Sequence, residues 1–261
     1  WNISDPYDVR ITSFEGGNAR NAIPREAEAY ITIHEEDVDH VKAYFETFQN
    51  NIQNELKHTE PNLNFSIEQT SLPEYVIDED THHYLINVLY ACPHGVYAWS
   101  KDMDDLVETS TNLAAITTTK NHSFYITTSQ RSSVDTAKED IASMVESVFR
   151  LGNADVDHSA GYPGWQPNPD SEIMKITEDS YKQLFGTEPV VKAIHAGLEC
   201  GLFLQKYPYL DMISFGPTIK GAHTPEERAS IKTTRKFWQL LLRVLQNIPE
   251  ESDSTSPNNS R

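Results

Sequence analysis

Five positions in this 261-residue chain carry side chains or backbone suited to ligand chemistry: Asn21, Arg131, Gly197, Glu199 and His223. His223 lies in residues 216–228, GPTIKGAHTPEER, behind the apolar run Met212-Ile213-Ser214-Phe215, which reads as a buried strand. Thr224-Pro225-Glu226-Glu227 combines a hydroxyl N-cap, proline at the first helical position and glutamate at the third. Those signals predict a helix from Thr224, carried by Ile231, Phe237, Leu241, Val244 and Leu245 as far as Pro249. A histidine just ahead of a helix N-terminus is kept neutral by the dipole, and neutral imidazole is the form that binds a metal. The competing reading is a loop histidine hydrogen-bonded to backbone.

Arg131, in Ser-Gln-Arg-Ser-Ser, ends a strand-like run. Its guanidinium suits bidentate capture of a carboxylate, and its plain alternative is an exposed strand-end arginine. Asn21, in Arg20-Asn21-Ala22-Ile23-Pro24, is either a ligand-contacting amide or ordinary turn chemistry; Arg20 and Arg25 are weaker candidates nearby. His195-Ala196-Gly197-Leu198-Glu199 follows the apolar Val190-Val191, where open α/β sheets place ligands. Gly197 lets a backbone approach a ligand. Glu199 is a receptor for a cationic group or simply a helix N-terminal acid. His195 also fits a satisfied core histidine.

The elements that must position these groups fall into two styles. Strands are expected at 7–14, 27–33 and 63–67, around a helix whose apolar positions are Val38, Val41, Phe45, Phe48, Ile52 and Leu56. A helix at 80–92, strands at 106–119 and 122–131, and a helix built on Ile141, Met144, Val145 and Val148 follow. This order predicts α+β: an antiparallel sheet with helices on one face. Residues 160–171, AGYPGWQPNPDS, mark a domain boundary. Beyond it, helix 172–185, strand 189–195, helix 199–207, strand 211–215 and the last helix alternate as α/β. The domains expected are 1–167, 168–249 and a disordered polar tail at 250–261.

A net charge of −18 repels phosphate backbones and sets nucleic acid aside as a partner. No apolar run nears the ~20 residues that cross a bilayer, so no membrane role is expected. Cys92 and Cys200 have no metal-type spacing and read as free thiols in a reducing, cytoplasmic setting, with a single disulfide as the alternative.

The stretches 16–27 (GGNARNAIPREA), 127–133 (TTSQRSS), 161–171 (GYPGWQPNPDS), 195–203 (HAGLECGLF) and 216–228 occur in an order and at spacings that resemble the bacterial Xaa-His dipeptidases. These aminoacyl-histidine dipeptidases are co-catalytic zinc metallopeptidases, and the resemblance runs over about residues 7–249. It implies a lid domain at 1–167, with dimerisation and substrate-contact roles. The C-terminal segment of an α/β catalytic domain follows at 168–249. It also implies a homodimer, a dipeptide substrate and two zinc ions in the intact site. His223 would ligate one zinc, Arg131 would clamp the substrate carboxylate, Asn21 would contact the substrate or developing oxyanion, and Gly197 and Glu199 would line the binding site.

The same resemblance places the remaining zinc ligands and the general base in an N-terminal half that would precede Trp1. No catalytic residue is therefore expected in this chain. Its acidic clusters, 34–37 (HEED) and 155–158 (DVDH), lack the family's flanks and read as solvated faces. A two-metal hydrolase needs several carboxylates and a base, so the chain alone is expected to be inactive. The alternatives are a sister zinc peptidase or deacylase, and a non-catalytic lid-type module for dimerisation or ligand binding.

Overall fold

The computed structural model describes residues 1–101, 103, 105–159, 161–165, 168–192, 199–222 and 226–249. The chain divides into two compact units, Trp1–Ala160 and Gly161–Arg261. The expected tail at 250–261 lies outside the described residues.

The first unit is an antiparallel sheet: β1 (Arg10–Gly16), β2 (Ala27–Thr32), β3 (Gly95–Trp99), β4 (Val107–Thr118) and β5 (Phe124–Ser132). β4 is the organiser. β5 runs along one of its edges, from Thr109↔Ser132 to Thr118↔Phe124. The other edge is shared, with β3 at the start of β4 and β1 near its end, where Gly16 pairs with Ile116. β2 then pairs with β1. Side chains extend the short β1–β4 ladder: Phe14 N–H donates to Thr118 Oγ1 at 2.7 Å, and Thr118 N–H donates to Glu15 Oε1 at 2.8 Å.

Two helices cover one face of this sheet, α2 (Glu79–Ala91) and α3 (Asp135–Leu151). Asp78 caps α2, accepting from Thr81 N–H at 3.0 Å and Thr81 Oγ1–H at 2.7 Å. Val88 and Cys92 pack with Val145 and Phe149 over Leu113 and Ile126. Ile77 and Leu85 pack with Ile116 over Ile11, Phe14 and Phe124. Strand side chains alternate between faces. On β5 this puts Phe124, Ile126, Thr128, Gln130 and Ser132 on the covered face, leaving Tyr125, Thr127, Ser129 and Arg131 on the open one. On β4 the register shifts between Leu113 and Ala115. Ala114 is the extra residue of this bulge, which keeps both Leu113 and Ile116 on the core side.

The remaining helix of this unit, α1 (Val38–Leu56), follows a 3-10 turn at Glu35–Asp37. Its Phe45 and Phe48 meet Phe65 edge-on. Residues 63–67 are therefore not the strand that their alternation predicts. Leu63 and Phe65 are half-buried because they pack on or beside a helix, which produces the same in–out pattern as a sheet face. β3, which opens at Gly95 two residues after Pro93, was not anticipated from the sequence.

The second unit contains α4 (Glu172–Phe185), α5 (Glu199–Lys206), a short hairpin of β6 (Ile219–Lys220) with β7 (Arg228–Ala229), and α6 (Ile231–Asn247). α4 is capped by Ser171, whose Oγ accepts from Met174 N–H at 3.1 Å, and ends at Gly186 in the left-handed region. α4 and α6 pack together. Lys236 Nζ lies 4.4 Å from the Tyr181 ring centroid and 4.3 Å from that of Phe185, and Asn247 donates to the buried Ser180.

Two expectations fail in this unit. The final helix begins at Ile231 rather than Thr224: Ser230 is its cap, and Arg228–Ala229 are in β7. Residues 228–229 satisfy their backbone in the hairpin, while Ser230 Oγ accepts Thr233 N–H and supplies a competing start signal. The expected strands 189–195 and 211–215 are also absent over their described residues, and Val190 is 81% exposed. A buried parallel strand exists only between neighbouring strands, and neither run has one among the described residues.

Candidate functional site

The open face of the first unit gathers the chemistry. The connection between β1 and β2, residues 17–26, turns back over β4. Gly17 N–H donates to Glu26 O at 3.2 Å and closes the neck of the loop. Gly17 has φ +66°, and a Cβ there would lie 2.0 Å from Ala114 O, at the β4 bulge. Only glycine lets the loop press this close. Further along, Asn112 Nδ2 on β4 donates to Ala22 O at 2.8 Å. That bond ties the loop to the open face one residue from the exposed Asn21.

Arg131 stands on the same face. It pairs with Ser110 across β4 and β5, as Asn112 pairs with Ser129. Asn112 and Arg131 are thus diagonal neighbours, a spacing of about 7–8 Å in antiparallel sheets. Arg131 is half-buried and forms no ion pair among the described residues. A partly desolvated guanidinium has the geometry to pair with a carboxylate through two hydrogen bonds. The loop that carries Asn21 is thus tied to the sheet face that carries Arg131.

On the covered face the polar groups are already satisfied. Thr109 and Ser132 share a 2.9 Å hydrogen bond, Gln130 Nε2 donates to Thr111 Oγ1 at 3.1 Å, and Ser132 Oγ accepts Val134 N–H. These groups fix the strand end that carries Arg131.

Glu199 is exposed at the first position of α5, in the second unit. Gly197, His195 and His223 lie outside the described residues. α6 starts at Ile231, eight residues beyond His223, too far for its dipole to hold that imidazole neutral. No group of three or more His, Cys, Asp or Glu side chains converges to hold a metal among the described residues. The acidic clusters have ordinary partners: His34 Nε2 lies 3.4 Å from Asp8 Oδ2, and His158 Nε2 lies 2.8 Å from Glu146 Oε2. Hydrogen bonds from His158 and then Arg150 lower the Glu146 pKa.

Asn112 and Gly17 were not singled out from sequence. The signal for Asn112 was an asparagine inside an otherwise good strand, where that residue type is depleted.

The fold and the comparisons agree on a class. Residues 2–60 match a peptidase dimerisation domain, and the chain is homologous to dipeptidases along nearly its whole length. It is 38% identical over 246 residues, 94% of its length, to the cytosol non-specific dipeptidase of Escherichia coli strain K12. Its structure matches the crystal structure of the aminoacylhistidine dipeptidase from Vibrio alginolyticus with a TM-score of 0.82 and 37% identity over 95% of the chain. It spans about half of each relative, 50% and 51% of their lengths, and fits the C-terminal half expected from the motifs. No helix among the described residues is long and apolar enough to cross a membrane.

Proposed function

We propose that this chain is the substrate-gripping and dimer-forming portion of a cytoplasmic zinc dipeptidase that hydrolyses Xaa-His dipeptides. The observation that carries the reading is the open sheet face, where Arg131 has no counter-ion among the described residues and stands beside the loop of Asn21. In this reading the dipeptide's terminal carboxylate seats on Arg131. Asn21 donates to the peptide carbonyl, or to the oxygen that becomes negative as the carbonyl is attacked. Such donors count most when they are already in place before charge develops. Glu199 and Gly197 are the further substrate contacts that the motif at 195–203 implies. Residues 1–167 form the lid and 168–249 the catalytic segment. The dimerisation-domain match over 2–60 supports a homodimer formed through the first unit.

Zinc, when bound in the intact enzyme, acidifies the attacking water. His223 is the ligand this chain would offer. The other ligands and the general base lie in polypeptide outside it, and this is why the chain is inactive alone. A second reading, a non-catalytic dimerisation or ligand-binding module, is favoured by the lack of a metal-holding cluster among the described residues.

The deciding experiment measures zinc content and alanyl-histidine hydrolysis. The chain is assayed alone, then mixed with a polypeptide carrying the other half of the relatives' length. Turnover only in the mixture, abolished by His223→Ala, is the expected result. Stoichiometric zinc and turnover from the chain alone would refute the division of labour. No zinc and no rescue would favour the non-catalytic module.

A further inference from the structure

Asn112 makes one hydrogen bond and is denied another. Its Nδ2 donates to Ala22 O at 2.8 Å, while its Oδ1 is buried with no hydrogen-bond partner. The amide cannot be turned over to relieve this, because Oδ1 would then face the Ala22 carbonyl oxygen. One neutral hydrogen bond contributes less to folding than an unpartnered buried oxygen costs. Fold stability therefore gives no reason for asparagine here. A strand position disfavours it as well.

What the residue does provide is placement. Among the described residues, one polar contact closes the base of the 17–26 loop, from Gly17 to Glu26 O, and one ties the loop to the sheet, from Asn112 to Ala22 O. The neck bond fixes the loop's base. The Asn112 bond fixes its far side, one residue from Asn21 and on the same face as Arg131. Without it the loop is tethered only at its base, and Asn21 is free to leave the face. We propose that Asn112 is a positioning residue, holding the Asn21 loop in register with Arg131 for binding of a carboxylate-terminated dipeptide. The inference rests on the reading of Asn21 and Arg131 as ligand contacts.

The test uses the whole chain with Asn112→Leu, close in shape, and Asn112→Ala. Amide exchange at Gly17 and Ala22, whose N–H groups donate to Glu26 O and Ala19 O, reports on the loop. The expected result is exchange at least tenfold faster at these two amides in both variants. The amides of β4 and β5 keep their protection, and Tm is unchanged or raised. A purely structural residue would instead lower Tm and loosen β4 and β5 together, which would overturn the proposal, as would unchanged exchange at Gly17 and Ala22. Alanyl-histidine binding is then measured for wild type, Asn112→Leu and Arg131→Ala. A Kd weakened at least fivefold in both variants completes the argument. If Arg131→Ala binds as wild type does, the dipeptide reading fails, while the exchange data still decide whether Asn112 places the loop.

Discussion

Gly17→Ala tests the pressure of the loop on β4 most directly. The residue has φ +66°, and L-residues other than glycine lose about 1–2 kcal/mol there. The added methyl would also sit 2.0 Å from Ala114 O and 3.2 Å from the Ala115 Cα, both backbone atoms that no rotamer change can move aside. β4 is held by β5 along one edge and by the α2–α3 core beneath it. The loop must therefore yield, lifting by about 1 Å or more to restore van der Waals contact. That movement breaks the Gly17–Glu26 and Asn112–Ala22 bonds, each contributing about 1 kcal/mol. The sum is about 3–4 kcal/mol, which lowers Tm by about 10 °C for a unit of this size. Gly95→Ala is the control. Its φ is +100°, but no atom lies within 4 Å of the built Cβ, so only the backbone cost applies, about 1–2 kcal/mol. Thermal melts followed by circular dichroism decide the matter. A Gly17→Ala protein melting no lower than Gly95→Ala would refute the close approach of loop and strand.

Three further outcomes follow from single sites. His82 is buried, accepts Ile11 N–H at Nδ1 (3.2 Å) and contacts Ser4 Oγ through Nε2 (2.8 Å), so it is held neutral. Burial and then the positive charges of Arg10 and the N-terminal ammonium lower its pKa, against opposing pulls from Asp8 and Asp5. Its folded pKa thus lies below the unfolded value, 6.5. The stabilisation is complete above that value and is lost as pH falls from there through the folded pKa, by at most about 1.4 kcal/mol per pH unit. Urea titrations at pH 7.5 and 5 should show this slope in wild type and a shallower one in His82→Gln; equal slopes would exclude it. Cys92 is buried, and burial raises its pKa to about 11, whereas Cys200 is partly exposed. A thiol reagent at pH 8 should label Cys200 in the native protein and Cys92 only after unfolding, and equal labelling rates would contradict the packing of α2 on α3. Arg131→Ala in the complemented enzyme should raise KM more than tenfold with little change in kcat, since it removes binding common to substrate and transition state. An unchanged KM would remove Arg131 from the site.

The helices of the first unit and β4 and β5 were legible because their side chains face a single partner layer. A stripe at 3.6-residue spacing, or an alternation of two, then records that partner. Residues 63–67 show the limit of this logic: Leu63 and Phe65 alternate against α1, and nothing local distinguishes a helix surface from a sheet. Arg131 and Asn21 were visible as residue types. The seating of Asn21's loop on the face of Arg131 was not, because it depends on a contact between residues 90 apart in the chain, Ala22 and Asn112. That contact leaves no periodic trace, only an asparagine in a strand.

The second unit shows the same physics from the other side. Val190 and Val191 have the composition of a buried strand yet are exposed, and residues 211–215 join no sheet among the described residues. Sequence encodes the apolar faces such a strand needs, but the hydrogen bonds that make it a strand come from its neighbours. The local starting signal at Thr224 had a similar dependence. Thr-Pro-Glu-Glu begins a helix only if the chain beyond it is free to coil, and the hairpin of β6 with β7 occupies Arg228–Ala229 first. Ser230 then caps α6 one turn and a half later than the first signal suggested. A dipole that would keep His223 neutral requires the helix to start at Thr224. The assignment of His223 as a zinc ligand now stands on the motif alone, and His223→Ala in the complemented enzyme is its direct test.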